Sequence, residues 1–368
     1  MSVSSGRLPS SIALVLGMHR SGSSAVTRVL SYLGYALPKT LIPGNLSNRR
    51  GHWESRPIAR LNDDYLSAAD LVWSDWVSGL LPRMRSAVMR DYEADIRAHV
   101  IDEFPGRQPA VLKDPRICRL MPRYRGALER SGPLHAVIPV RNPLEVISSL
   151  MQRNAMSEAN AGLIWLRYHL DAVEGSEGLP RAFLAYEKLL DAPEETLAKV
   201  EATLDIAYPV PLHQALDDIR RHLDPALRSH RRSVEEVIEH NLTRGWISDT
   251  YSALRLLTED PASKRPLETL ARIRREVVAA EPMLSHIIGG YDRRCTSLER
   301  RVAALTAATE LRAEQVRLLR SNLREGAVAA PSQTATPSPT QSPGAAGQAP
   351  ERAPEPAPEP APEQAKQA

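Results

Sequence analysis

The sequence predicts an α/β fold: a P-loop-like parallel sheet flanked by helices, followed by a C-terminal helical layer, a long helix or coiled coil, and a disordered tail. Three observations predict it. Over the first 180 or so residues, short β-type apolar runs alternate with helical patterns, as in parallel strands joined by crossover helices. The first of these runs leads into a glycine-bounded loop and then a helix. After residue 205 strand patterns cease.

The strand candidates are residues 12–16, 110–112, 134–140 and 182–185. Residues 212–291 read as helices punctuated by Pro225, Pro261, Pro266 and Pro282, and form a layer on the same domain, 1–292. In 293–325, Leu298, Val302, Leu305, Thr309, Arg312, Val316, Leu319 and Leu323 follow four-three spacing. This is a coiled-coil seam with polar Thr309 and Arg312 at its centre. It reads equally as a solvated single helix; as a coil it would make the chain a homo-oligomer. The tail, 326–368, holds ten of the thirty prolines, ends in an Ala-Pro-Glu-Pro repeat and has no aromatic residue. It cannot bury a core and reads as disordered or polyproline chain.

The composition, 42% hydrophobic and 25% charged, is that of an ordinary globular chain. Cys118 and Cys295 stand far apart with no His or Cys at ligand spacing. That argues against a disulfide framework or zinc site and suits a reducing, cytoplasmic setting. No stretch approaches the ~18 apolar residues of a membrane span, and residues 12–16 are too few for a secretory signal, so neither is expected. The formal charge is +3; the tail carries four acids and two bases, which leaves +5 on the body. Such a body suits an anionic small ligand and is too diffuse for nucleic acid.

The first strand runs into Gly17-Met18-His19-Arg20-Ser21-Gly22-Ser23-Ser24, and Ala25, Val26, Val29 and Leu30 begin a helix. Strand, loop and helix N-terminus make an anion cradle from backbone amides and the positive end of the helix dipole. The spacing is that of the Walker loop, but Ser23 stands where its lysine would follow the second glycine. That departure argues against an ordinary kinase or nucleoside triphosphatase. Here the cation, Arg20, sits inside the loop, where it can meet the bridging oxygen of a phosphosulfate.

The longest apolar run, 134–140, ends in Arg141-Asn142-Pro143, with Ser149 eight residues beyond Arg141 and Arg153 one turn further. Asn142 as cap and Pro143 at a helix start place Arg141 at the carboxyl end of a strand, where open α/β sheets bind ligands. A guanidinium and a hydroxyl converging there could hold one more phosphate.

In this order the segments resemble the sulfotransferase superfamily over roughly 12–205. The resemblance implies 3'-phosphoadenylyl sulfate as co-substrate and no metal. It implies a 5'-phosphosulfate loop of Arg20, Ser21, Gly22, Ser23 and Ser24, and a 3'-phosphate site of Arg141 and Ser149. Tyr186, in the Tyr186-Glu187 pair after the fourth strand, would lie near the adenine; read by itself it is as plausibly a core residue.

Two departures from the aromatic-substrate members stand out. Their Lys-Thr-His segment, with its histidine base, is here Lys113-Asp114-Pro115-Arg116, so that base is absent. Lys113, one of six lysines against 41 arginines, would donate to the sulfuryl oxygens, or else pairs with Asp114. Their glycine- and lysine-rich lid is also missing, and Arg244-Gly245-Trp246 is its nearest counterpart. Tyrosylprotein-type and bacterial carbohydrate-type members are similar in using a glutamate after the first helix. In Asn48-Arg49-Arg50-Gly51-His52-Trp53-Glu54 this makes Glu54 the first candidate for general base and His52 the second, provided that burial beside Trp53 raises the Glu54 pKa. Alternatively Glu54 caps the next helix or pairs with Arg50.

The expected reaction is an in-line displacement at sulfur, with Glu54 taking the acceptor proton and Arg20 and Lys113 stabilising the developing charge. The acceptor is a small-molecule or glycan hydroxyl or amine; two Phe and polar loops suit a sugar better than a steroid or phenol. A P-loop small-molecule kinase is the alternative, with only Asp114 available to hold magnesium. An inactive nucleotide-binding scaffold with an interaction tail is the other.

Overall fold

Four short strands organise the structure, a computed structural model that describes residues 7–44, 51–78, 86–223 and 232–328. They are β1 Ile12–Val15, β2 Ala110–Leu112, β3 Leu134–Val140 and β4 Arg181–Ala185, all parallel, in the order β2-β1-β3-β4. Successive side chains of a strand point to opposite faces. Leu14, Leu16, Leu112 and Ile138 therefore enter one core, and Ala13, Val15, Val111, Val137 and Leu184 another. A parallel sheet covered on both faces needs such near-continuous apolar strands.

The helices are α1 Ser23–Tyr32, α2 Arg56–Ser67, α3 Ser86–Glu103, α4 Ile117–Leu128, α5 Pro143–Asn154, α6 Glu158–Gly175, α7 Tyr186–Asp191, α8 Pro193–Leu204, α9 Leu212–His222, α10 Val234–Glu239, α11 Trp246–Glu259 and α12 Lys264–Val328. From β1 the chain reaches β2 on one side and β3 on the other. The gap between the carboxyl ends of β1 and β3 is thus the topological switch point, the crevice in which open α/β sheets hold ligands. The loop after β1 and Arg141 after β3 flank it.

Pro139 lies in β3 past the last residue that pairs with β1, Val137, so its missing N–H costs no bond to that neighbour. Its ring presses on the phosphate loop: a Cβ on Gly17 would stand 2.7 Å from Pro139 Cγ. Only glycine permits this approach.

Packing divides the chain into a unit Met1–Cys295 and a unit Thr296–Ala368. The helix expected from 293 starts at Lys264, and it runs on through Pro282, which was expected to punctuate it. A proline inside a helix removes one hydrogen bond and strains one turn, and neither ends the helix. In the second unit Val302, Leu305, Val316 and Leu319 lie exposed along the helix. Pro225, residues 48–50 and the tail beyond 328 lie outside the described residues. Among the described residues no helix is long and apolar enough to cross a membrane.

Candidate active site

The loop between β1 and α1 turns through two left-handed residues, Arg20 at φ 71° and Gly22 at φ 87°. Gly22 is also crowded, because a Cβ there would lie 2.3 Å from Cδ2 of Tyr186, the first residue of α7. The amide of Val26 bonds to the Gly22 carbonyl at 3.1 Å and opens the helical ladder. The amides of Ser23, Ser24 and Ala25 therefore face out of the helix end, where an anion is favoured. Ser21 is fully buried, and its Oγ has no partner among the described residues. A buried hydroxyl without a partner is what a ligand oxygen would satisfy.

Across the crevice, Asn142 caps α5 by accepting from the Leu144 amide at 3.0 Å, with Pro143 in the first turn. That geometry turns Arg141 back toward the loop. Its Nε donates to Glu145 Oε2 at 2.9 Å, one η nitrogen donates to the Arg20 carbonyl at 2.8 Å, and its guanidinium lies 5.1 Å from the Tyr186 ring centre. From α5, the Ser149 hydroxyl accepts from Arg20 Nε at 2.7 Å. Having accepted, it keeps its hydrogen for another acceptor. The two anchors expected from sequence are thus contiguous. Burial, then the nearby Arg153 and Arg141 cations, lower the Arg20 pKa from its usual value.

The third component comes from β2. Lys113 Nζ pairs closely with the Glu54 carboxylate and donates to the His52 carbonyl at 3.3 Å and Ser24 Oγ at 3.4 Å. Ser24 Oγ in turn donates to the His52 carbonyl at 3.2 Å, which ties the 52–54 segment to the first turn of α1. Lys113 and Glu54 are 3% and 5% exposed, a buried ion pair. Glu103 fixes the segment from behind, its Oε2 accepting from Ser55 Oγ at 2.9 Å and from the Thr40 amide at 3.1 Å.

These contacts decide between the alternatives that sequence left open. Lys113 does not pair with Asp114: that carboxylate binds Arg116 at 3.0 Å, and Arg116 is also held by Asp63 at 2.6 Å. Glu54 does not cap α2, since Ser55 does, accepting from the Ile58 amide at 3.3 Å. Arg50 lies outside the described residues. Burial pushes the Glu54 pKa up, against the downward pull of the Lys113 ammonium. The His52 pKa is lowered by burial first, then by Lys113, Arg153 and Arg20, which leaves a neutral imidazole at pH 7.

Arg244-Gly245-Trp246 is not beside Arg141. Gly245 precedes α11, and Trp246 Nε1 donates to Glu276 on α12 at 2.9 Å. A different segment meets the β3–α5 corner: Asn142 Nδ2 donates to the carbonyls of Arg232 at 3.1 Å and Ser233 at 3.0 Å, and the Arg232 amide donates to Glu145 Oε1 at 3.2 Å. Sequence reading used Asn142 only as a cap and missed this docking, which depends on backbone groups with no signature.

Three more residues face the cleft without having been assigned to it. His19 is half-buried with its ring 4.6 Å from Trp73, and its Nε2 is buried with no partner among the described residues. Burial and then the Arg116, Arg153 and Lys113 cations hold its pKa well below the usual histidine value. Arg153 lies with its guanidinium 5.7 Å from the Trp73 ring centre. Its four-residue spacing from Ser149 was the available signal, because such residues share a helix face. Among the described residues no three His, Cys, Asp or Glu are grouped to hold a metal ion.

The chain matches no family model and no curated protein. Among solved structures it is similar to a sulfotransferase domain from the Synechococcus PCC 7002 olefin synthase, at 17% identity over 74% of this chain and 97% of that one, with a TM-score of 0.35. A sulfotransferase domain from the curacin biosynthetic pathway matches at 16% identity over 73% and 98%, TM-score 0.36. Sulfotransferase STF9 from Mycobacterium avium matches at 12% over 63% and 70%, TM-score 0.37. At these identities and scores the likeness transfers no residue role to this chain.

Proposed function

We propose that the chain transfers a sulfuryl group from 3'-phosphoadenylyl sulfate to a hydroxyl or amine of a small-molecule or glycan acceptor. The observation that carries this reading is the contact of Arg20 with Ser149 and of Arg141 with the Arg20 carbonyl. It gives a phosphate loop lacking the Walker lysine a second set of anion donors on β3 and α5. A nucleotide with a phosphate at each end of its ribose uses both sets; a nucleoside triphosphate has no group for the second.

Arg20, the Ser21 hydroxyl and the outward amides of Ser23 and Ser24 would hold the 5' end, Arg141 and Ser149 the 3'-phosphate, and Tyr186 the base. In the reaction the acceptor oxygen or nitrogen bonds to sulfur as the bond from sulfur to the bridging oxygen breaks. The acceptor proton passes to the Glu54 carboxylate, and adenosine 3',5'-bisphosphate leaves. Burial favours that transfer by raising the proton affinity of Glu54. Protonation also releases the Lys113 ammonium from its partner, so that its charge can meet the departing phosphate oxygen. Asp114, the one acid a kinase reading has for magnesium, is 1% exposed and committed to Arg116.

Calorimetry tests the reading with wild type and Arg141→Ala against adenosine 3',5'-bisphosphate, AMP and ATP without magnesium. The wild type should bind the bisphosphate far more tightly, and Arg141→Ala should erase about 1.5 to 3 kcal/mol of that preference, roughly ten- to a hundredfold. Equal affinity for AMP and the bisphosphate in the wild type would exclude the donor. Incorporation of labelled sulfate into an acceptor separates an enzyme from an inactive scaffold.

A further inference from the structure

Arg153 is the cleft cation that the proposed reaction leaves without a task. It lies in the last turn of α5, which ends at Ala155 in the left-handed conformation. A cation there is favoured by the helix dipole, but the dipole alone would leave it in solvent. Here it is half-buried and turned onto the Trp73 ring. Trp73 is itself fixed, its carbonyl accepting from the buried Tyr168 hydroxyl at 2.7 Å and its ring meeting His19.

The other cations of the cleft have partners: Lys113 has Glu54, Arg116 has Asp63 and Asp114, and Arg141 has Glu145. Among the described residues Arg153 has no carboxylate within salt-bridge distance, and its Nε donates to Asn154 Oδ1 at 2.7 Å. A half-buried guanidinium with nitrogen donors to spare is arranged for an anion that arrives with a ligand.

Position places that anion past the 3'-phosphate anchor, on the side of the proposed base. α5 leads away from Arg141, and with a rise of about 1.5 Å per residue Ser149 stands about 9 Å and Arg153 about 15 Å along the axis from its start. Ser149 is beside Arg20, so Arg153 lies a turn beyond the phosphate loop, against the segment that follows α2. Glu54 lies on the chain that leads into α2, and its charge is felt by Arg153. Arg153 thus stands between the loop cation Arg20, which also feels its charge, and the proposed base, one helical turn beyond the 3'-phosphate anchor Ser149.

We infer that the acceptor carries its own negative group, as an acidic sugar does, and that Arg153 over Trp73 reads it. The inference rests on the sulfotransferase reading and adds the acceptor's charge class. The aromatic ring offers a flat wall to the apolar face of a sugar ring, and the guanidinium offers parallel donors to a carboxylate. A neutral acceptor would leave this cation unmatched beside a donor that already has its own partners.

The test uses the full chain saturated with adenosine 3',5'-bisphosphate, and two probes that differ in one group: p-nitrophenyl β-D-glucuronide and p-nitrophenyl β-D-glucoside. Affinity is read by ligand-observed NMR or calorimetry, and turnover with labelled 3'-phosphoadenylyl sulfate accompanies it. The wild type should prefer the glucuronide by about tenfold or more. Arg153→Gln should abolish that preference, Arg153→Lys should keep part of it, and both should leave bisphosphate affinity within about twofold; thermal melting checks that each variant is folded. Equal binding of the two probes, binding of neither, or an equal loss for both in Arg153→Gln overturns the inference. So does a loss of bisphosphate affinity in that variant, which would assign Arg153 to the donor. A wild type that fails to bind the bisphosphate refutes the sulfotransferase reading itself, and is seen before either probe is added.

Discussion

Arg20 Nε and Ser149 Oγ are joined at 2.7 Å although 129 residues separate them in the chain. The bond fixes the loop cation against α5, and it makes the two phosphate anchors one site. Ser149→Ala removes both the acceptor that orients Arg20 and the hydrogen that Ser149 has left to donate. Affinity for adenosine 3',5'-bisphosphate should fall about five- to tenfold, near 1 kcal/mol, with little change in melting temperature. Calorimetry beside a melting curve measures both, and an unchanged affinity would remove Ser149 from the nucleotide site.

Glu54→Gln should lower turnover by roughly two to four orders of magnitude and leave bisphosphate affinity near normal. Because a base must be unprotonated, kcat/KM of the wild type should fall as pH drops through the raised pKa of Glu54, above the usual carboxylate range. That limb should vanish in the variant. Retained activity in Glu54→Gln with loss in His52→Ala would transfer the role to His52, whose imidazole is already neutral at pH 7.

Gly22→Ala tests the packing under the loop. The substitution strains a residue at φ 87° and drives a methyl to within 2.3 Å of the Tyr186 ring. A loss of about 2 kcal/mol or more is expected, together with nucleotide binding. Adding Tyr186→Ala should relieve the collision but not the backbone strain, so the double variant should recover part of the loss. Normal stability in Gly22→Ala would mean that Tyr186 swings away freely.

Two histidines, one buried and one half-buried, make stability depend on acid. Burial lowers His169 to about 4, and it holds His19 well below its usual value. The unfolded chain binds these protons near pH 6.5, whereas the folded one does not. Stability is therefore full above pH 6.5 and falls as pH drops toward 4, by up to about 1.4 kcal/mol per unit for each histidine. Denaturant titrations at pH 7.5, 6 and 5 should show the decline, and His169→Gln should flatten it. A pH-independent midpoint in the wild type would contradict the assigned neutral states.

The exposed row of Val302, Leu305, Val316 and Leu319 is proposed to pair with the same row of a second copy. Removal of everything from residue 293 should then convert a dimer to a monomer in sedimentation without unfolding the first unit. An unchanged number of copies per particle would establish the row as one face of a solvated single helix.

Local pattern determined much of this protein by itself. Apolar runs of strand length between helical repeats placed β1 to β4 to within one residue, because alternation and short-range propensity are written in adjacent residues. The positions of Arg20 at a glycine-bounded loop and of Asn142-Pro143 at a helix start were legible for the same reason. Partnership was not. Whether Lys113 would take Glu54 or Asp114 as its counter-ion, and whether Glu54 would cap α2, depended on which chains the sheet brings together across 59 residues. The same holds for Arg153 on Trp73, for the docking of Arg232 on Asn142, and for the passage of α12 through Pro282. Side-chain pairing across a crevice is set by the packing of distant elements, and only the tertiary structure decides it, because the energy of a buried ion pair depends on what else is excluded from its surroundings.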